Sequence, residues 1–425
     1  MRGLFYKQAD GYSLPFAMFI FVIVIILSGS ILLASYQKGI IFNRVVLIER
    51  LEANTKSALN IMIAHSDQYP YDQEIRLSLY GEAQDSVTLK KEQWGAFDLL
   101  NASAFHKELK KRHSAIIGNY KQDSTNVALM IPENGKSIAL SGNVSIEGIC
   151  EMPQARFSQP SIEGKTFTGR QIRSSIRTSD SIMPKLNENI AKLTMGYALD
   201  RYMSKGTVII PYTEFNKDSL IVPFLSDSTV TLYAEGPITI DHKTIKGKVV
   251  IISDRSISIG PSAHISDVQC YAPYIEFNNG FSGNLQAYAT DSIVVGEKCE
   301  IKYPSVLGIN QEKTSISALT LKENSMLYGI AFMNTKEDGS APKSILSIAK
   351  NASVRGQVYS NNFTEIKGAI NGSLYTKRFI LRTPSSIYEN TIMDASIDMY
   401  KLSSNYIGAD LIGEGTTGGV IKWIY

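Results

Sequence analysis

Asp241, His242 and Lys243 stand side by side, and His264 and Asp267 follow shortly after. Carboxylates, an imidazole and an amine gathered on one face can divide the general acid and base work of glycosidic cleavage. On that reading the chain is a carbohydrate-active enzyme. The simpler reading places these residues at solvated surface turns, and it is the one adopted. No catalytic, cofactor-binding or metal-ligating residue is assigned, and the chain is read as non-enzymatic with no cofactor.

The other motifs with chemical meaning are weaker. Gly413-x-Gly415-x-x-Gly418 matches a dinucleotide fingerprint in its letters, but it has no room after it for the helix and second strand that the motif needs. No P-loop, Gly-x-Ser-x-Gly or His-Glu-x-x-His occurs. His65, His106, His113, His242 and His264 form no metal-ligand spacing, and Cys150, Cys270 and Cys299 form no Cys-x-x-Cys. Three cysteines leave at least one unpaired within the chain. The net charge of +3 gives no electrostatic footprint for nucleic acid, and the basic run at 107–113 reads as a solvated helical face. Trp94 and Phe97 read as core. The Asn-x-Ser/Thr triplets at Asn101, Asn143, Asn351, Asn362 and Asn371 occur at about the chance level for this composition.

The elements that would position any function are clearer. Residues 11–37 carry no charge, and the apolar stretch from Leu14 to Leu33 is 20 residues long. As a helix it spans roughly 30 Å, the hydrocarbon thickness of a bilayer. A cleaved signal with small residues at Ser28 and Ser30 is the alternative, but the apolar run resumes at Ile31. A retained anchor is expected, with membrane lipid as its partner through residues 14–33. Basic residues on the two sides nearly balance. The body is assigned to the periplasmic or extracellular side of a bacterial inner membrane. Beyond the span, Ile41, Val45, Ile48, Leu51, Thr55, Leu59 and Met62 recur at helical steps, which predicts an amphipathic stalk.

A short basic leader followed by Gly11-Tyr12-Ser13-Leu14-Pro15-Phe16 and this stalk resembles the start of type IV prepilins, minor pilins and pseudopilins. The resemblance implies cleavage between Gly11 and Tyr12. The family carries a glutamate at the fifth mature position, and this chain has Phe16 there. Residues 66–136 then read as a small α+β subdomain. Strands are expected at 74–81 and 85–90 around Gly81, a helical patch through Lys107–Ile117, and a strand at 126–131.

From Ile238 onward the chain repeats. Apolar-x-apolar pairs begin at 238, 257, 275, 293, 319 and 346, so three steps of 18 or 19 are followed by two of 26 and 27. A second pattern, commonly with Gly in its third place, starts at Ile245, Ile265, Phe281, Ile301, Leu327, Val354 and Ile370. A unit of two short strands encloses nothing, so units must stack to bury their apolar residues. The expectation is a mainly β protein. It has an N-terminal transmembrane helix and stalk (1–65), the α+β subdomain (66–136), and first coils plus a capping helix at 186–203 (137–230). A parallel β-helix (231–380) and a C-terminal cap (381–425) complete it. An antiparallel sandwich is the alternative fold. The Ile-x-Ile and Ile-x-Gly-x-Val pairs at 238–306 also resemble the bactofilins, which implies a right-handed parallel β-helix and a membrane-bound scaffold. The function expected is an envelope-anchored, minor-pilin-like or adhesin-like structural subunit. Its partners would be other envelope proteins or further copies of itself, with no nucleic acid.

Overall fold

The computed structural model describes residues 13–79, 86–120, 127–169, 175–204, 207–313, 315–336, 344–413 and 418–424. The expected cleavage point between Gly11 and Tyr12, the turn at Gly81 and Gly415 of the glycine motif lie outside them. Ser13–Ala64 form one continuous helix, α1, of 52 residues. It is roughly 78 Å long at 1.5 Å per residue. Pro15 sits in its first turn, where a missing N–H costs nothing. Leu51, Thr55, Ala58, Leu59 and Met62 make one buried stripe at helical spacing. The stripe predicted from sequence holds from Ile48 downward, whereas Ile41 and Val45 are exposed.

An antiparallel sheet lies against this stripe. Its strands are β1 (Glu74–Ser78), β2 (Ser86–Trp94), β3 (Phe97–His106) and β4 (Leu109–Tyr120), paired in that order. Lys107–Ile117 is therefore not a helix, as its spacing suggests, but a turn and most of β4. The reason is that β4 is covered on both sides. Ala115 and Ile117 pack toward α1, and Ile116 packs toward the other layer. A strand buried on both faces loses the alternation that marks a strand. Val127–Met130, expected in this subdomain, leaves it for the second body.

The second body is a closed barrel of parallel strands. The six pairs aligned by sequence are neighbours in register: Ile238, Ile257, Ile275, Ile293, Leu319 and Leu346 follow one another across successive rungs. All six are fully buried, forming one inward column. Burying each contributes roughly 1.5–3 kcal/mol. A second column runs through Ile301, Leu327, Val354 and Ile370. Gly283 rather than Phe281 pairs with Ile301, so that coil is shifted by two residues from the expected alignment. The longer steps of 26 and 27 have their extra residues between Gln311 and Ala318 and between Thr335 and Ile345 in the sequence.

Each turn of the chain holds three strand segments, not two. The third column runs inward through Leu232, Ile251, Cys270, Ala287, Leu307, Ala331, Val358 and Leu374. Its outward neighbours Tyr271, Tyr288 and Phe332 are also buried. Both faces are covered here as in β4, and the segment again reads as an apolar run. At the second column, Gly329, Gly356 and Gly372 stack with φ of 149, 148 and 147°. A Cβ on each would stand 1.9–2.0 Å from the carbonyl oxygen of the rung before it. Only glycine adopts that backbone and permits that approach.

The order of the coils differs from the expectation. Residues 127–169 and 175–178 do not precede the coil at Ile238. They stack on the opposite end, where Leu374 pairs with Leu129, Ile397 with Ile146, and Leu129 with Cys150. Residues 186–203 form two short helices, α2 (Glu188–Ala191) and α3 (Met195–Tyr202), instead of one. Asn187 and Thr194 cap them separately, which divides the segment. Residues 391–398 continue the stack, and Gly418–Ile424 then returns to pair with β4. That strand completes the antiparallel sheet and does not cap the barrel. The barrel is thus an insertion between β4 and the strand that sits beside it.

Candidate functional site

Two features of the fold face outward from its core: the free part of α1 and the barrel. Every Leu, Ile, Val, Met and Phe from Leu14 to Val46 is at least 40% exposed. The helix is long and apolar enough to cross a membrane. Its lower part is held because Leu51, Ala58, Leu59 and Met62 meet Leu89, Leu100, Ala102 and Ile117 of the sheet. The sheet in turn is clamped to the barrel, so anchor, sheet and barrel form three successive layers.

The clamp is built at the β2–β3 turn. Gly95 has φ of 62°, and a Cβ there would lie 2.1 Å from Gln286 Oε1. Without that Cβ, the Ala96 N–H donates to Gln286 Oε1 at 2.9 Å and to the Tyr288 hydroxyl at 2.8 Å. Gln286 Nε2 donates to the Trp94 carbonyl at 3.0 Å. Around these bonds Tyr271 stacks on Tyr288 at 5.1 Å, and Trp94 sits edge-on to Phe224 at 5.2 Å. Trp94 and Phe97 are core residues of this seam.

Charges reinforce the seam. Lys248 of the barrel is 3.1 Å from Glu92 of β2, and Lys90 is 2.6 Å from it. Burial pushes the Glu92 carboxyl up, but the two ammonium groups outweigh it and hold Glu92 below the usual carboxylate range. Nearby, Lys91 lies 3.2 Å from Asp98, and the Tyr71 hydroxyl donates to Asp98 at 2.9 Å. Burial nonetheless leaves the Asp98 carboxyl raised. These groups line a polar cavity of about 180 Å³ with Asn187 and Asp410, which are themselves bonded at 3.0 Å. Among the described residues, no group of three or more His, Cys, Asp or Glu could hold a metal ion.

The residues singled out for acid–base chemistry lie on adjacent rungs, where the His264 N–H donates to the Lys243 carbonyl at 2.9 Å, but their side chains are not joined. His242 Nε2 is 3.8 Å from Asp241, with its side chain 82% exposed. Lys243 Nζ donates to the Lys217 carbonyl at 3.0 Å. Asp267 instead accepts from Asn284 and pairs with Lys422 at 2.6 Å. His242 and Asp267 both adopt positive φ, as turn and bulge residues do. No side-chain hydrogen bond or ion pair among the described residues joins Asp241, His242 or Lys243 to His264 or Asp267. Gly418 of the glycine motif opens a strand.

Cys150, Cys270 and Cys299 are buried. Cys270 lies between Ile251 and Ala287 in the third column, and Cys150 between Leu129 and Ile176 in the same column. Burial pushes the Cys270 thiol up to about 12, which keeps it protonated and unreactive. The sequence reading missed Gln286 and Tyr288. Their signal was present, since a glutamine recurs before an aromatic in Gln269-Cys-Tyr271 and Gln286-Ala-Tyr288.

No family model matches the chain, and no curated protein matches it. One solved structure that it resembles is the competence-associated pilin ComZ from Thermus thermophilus. The match covers 99% of both chains at 10% identity, with a TM-score of 0.23 that does not establish a shared fold.

Proposed function

We propose that this protein is a membrane-anchored, pilin-like structural subunit of a bacterial envelope, which presents a β-solenoid outside the cytoplasm. One observation carries the reading. A single rigid helix has its first part bare and apolar and its second part packed on an antiparallel sheet. A bare apolar helix requires lipid or protein around it. The exposed part of the helix from Leu14 to Val46 is roughly 50 Å long, well beyond the roughly 30 Å of a hydrocarbon core, and past the uncharged span its apolar residues are interspersed with Lys38 and Arg44. Tyr36, Ile40, Ile41, Phe42, Val45 and Val46 therefore lie past the lipid and call for helices of other copies or of other envelope proteins. The solenoid reading is supported by the parallel barrel, with three inward columns in register from rung to rung. A stack of this kind is a stiff surface for contacts.

Topology tests the proposal. In intact bacteria whose outer membrane has been opened, an added protease is expected to cut a cleavage site inserted between Gln311 and Ala318. A reporter that works only in the cytoplasm, fused after residue 424, is expected to stay silent. Protection of that site until the inner membrane is lysed would overturn the assignment. Deleting residues 14–33 is expected to move the protein from the membrane to the soluble fraction.

A further inference from the structure

The segment Met399–Ile407 crosses the outside of the second column and closes a cleft of about 460 Å³. That is within the size range of small-molecule and short-oligomer sites. Tyr303 and Tyr328 line it from adjacent rungs, Arg355 from the next, and Tyr406 and Lys401 from the crossing segment. Two of the tyrosines are fixed. The Tyr303 hydroxyl donates to the Ile407 carbonyl at 2.9 Å, and the Tyr406 hydroxyl donates to the Gly329 carbonyl at 3.1 Å. Their rings stand 5.8 Å apart at 59°. With hydroxyls committed to backbone, these residues offer ring surface, already ordered before any ligand arrives. The Arg355 guanidinium lies 5.2 Å over the Tyr328 ring and pairs with no carboxylate among the described residues. Among the described residues, none that lines the cleft is acidic.

We infer that this cleft binds an acidic oligosaccharide, a short chain of pyranose units carrying carboxylates. The chemistry matches part by part. A pyranose ring turns a face of C–H bonds outward, and the electron-rich face of a tyrosine attracts it. A sugar carboxylate accepts two parallel bonds from a guanidinium, which a neutral sugar cannot. Nucleic acid would need many phosphate contacts, whereas the cleft has two cations and the chain carries a net charge of only +3. The inference goes beyond the envelope reading and does not depend on which side of a membrane the body occupies.

The test is calorimetric titration of the full-length protein in detergent micelles. The probes are trigalacturonate, neutral cellotriose, a dodecamer of deoxythymidine and a heptaglutamate peptide. Trigalacturonate is expected to bind, with cellotriose at least tenfold weaker. Arg355→Gln is expected to remove that preference and bring the two sugars level, an effect that a structural role for Arg355 does not produce. Tyr328→Ala is expected to weaken both sugars at least tenfold. Lys246→Gln, exposed on the same column several rungs away, is expected to change nothing. Circular dichroism establishes that each variant is folded, and Lys401→Gln serves as the second charge variant if Arg355→Gln is not. The inference is overturned if trigalacturonate does not bind, if the folded charge variant keeps the acidic preference, or if the oligonucleotide or peptide binds more tightly.

Discussion

Replacing Gly356 by alanine tests the stacked glycines most directly. Gly356 lies between Gly329 and Gly372 with φ of 148°, and an added methyl would stand 1.9 Å from the Gly329 carbonyl oxygen. Two costs combine. A residue with a side chain in that backbone region costs about 1–3 kcal/mol. The contact also lies far inside van der Waals distance of a backbone atom that is itself bonded into the sheet, so the rungs must separate locally. Together these come to about 3–5 kcal/mol, within the range of the severest single substitutions. Gly135 is the control. Its φ is 69°, and nothing lies within 4 Å of an added Cβ, so Gly135→Ala carries only the backbone cost of about 1–2 kcal/mol. Bodies of 150–250 residues lose roughly 2–4 °C of Tm per kcal/mol. Thermal unfolding followed by near-ultraviolet circular dichroism in micelles is therefore expected to show a drop of about 6–20 °C for Gly356→Ala and about 2–8 °C for Gly135→Ala. Equal shifts for the two variants would show that the tight rung contact carries no weight, and the reasoning from Cβ space would fail.

Four further outcomes are expected. Leu59→Ala, at the centre of the contact between α1 and the sheet, should destabilise the sheet layer by about 2–5 kcal/mol, measured as faster hydrogen exchange in β3 and β4 with the barrel unchanged. The double variant Gln286→Ala/Tyr288→Phe leaves the Ala96 N–H without its two partners. It should cost about 1–3 kcal/mol and open the seam to proteolysis at Gly95, while Tyr288→Phe alone, with Gln286 still accepting, should have a smaller effect. A thiol reagent should label none of Cys150, Cys270 and Cys299 in the native protein and all three in denaturant, and rapid native labelling of Cys270 would contradict its place in the column. Finally, burial pushes Glu365 up, but hydrogen bonds from Arg382 and Lys367 outweigh it, so its carboxyl lies below the ordinary value of 4.5. Its contribution is therefore complete above the unfolded carboxyl range and is lost as pH falls through the lower folded value. The acid side of a Tm–pH profile should be shallower in Glu365→Gln than in the parent, and parallel profiles would contradict this.

Legibility in the sequence followed how each segment is covered. The column from Ile238 to Leu346 could be aligned residue by residue because one face of each strand is greasy and the other wet. The third column and β4 escaped because both of their faces are packed, which erases alternation: Cys270-Tyr-Ala272 and Ala115-Ile-Ile117 read as unbroken apolar runs. The membrane-spanning part of α1 from Leu14 to Leu33 was plain from its lack of charge, and the glycines of the second column from their recurring place. The stacking of residues 127–169 and 175–178 on the far end left no trace in local spacing, since pairing partners distant in sequence impose no period. At the surface, Asp241 and His264 drew attention through residue type alone. Tyr303, Tyr328 and Arg355 come together only through the rung register and the crossing of Met399–Ile407, and neither can be read before the coils are counted.

The docking of Leu129 and Ile146 on the coil of Ile370 and Ile397 has a temporal consequence. Ribosomes release the early segment long before its template exists. Until the last coil arrives, Leu129, Ile146 and Cys150 have a frayed ladder and no floor to stand on. The two ends of the body can meet only after the last coil is made, so a chain interrupted late in synthesis leaves its beginning without those partners as well as losing its end.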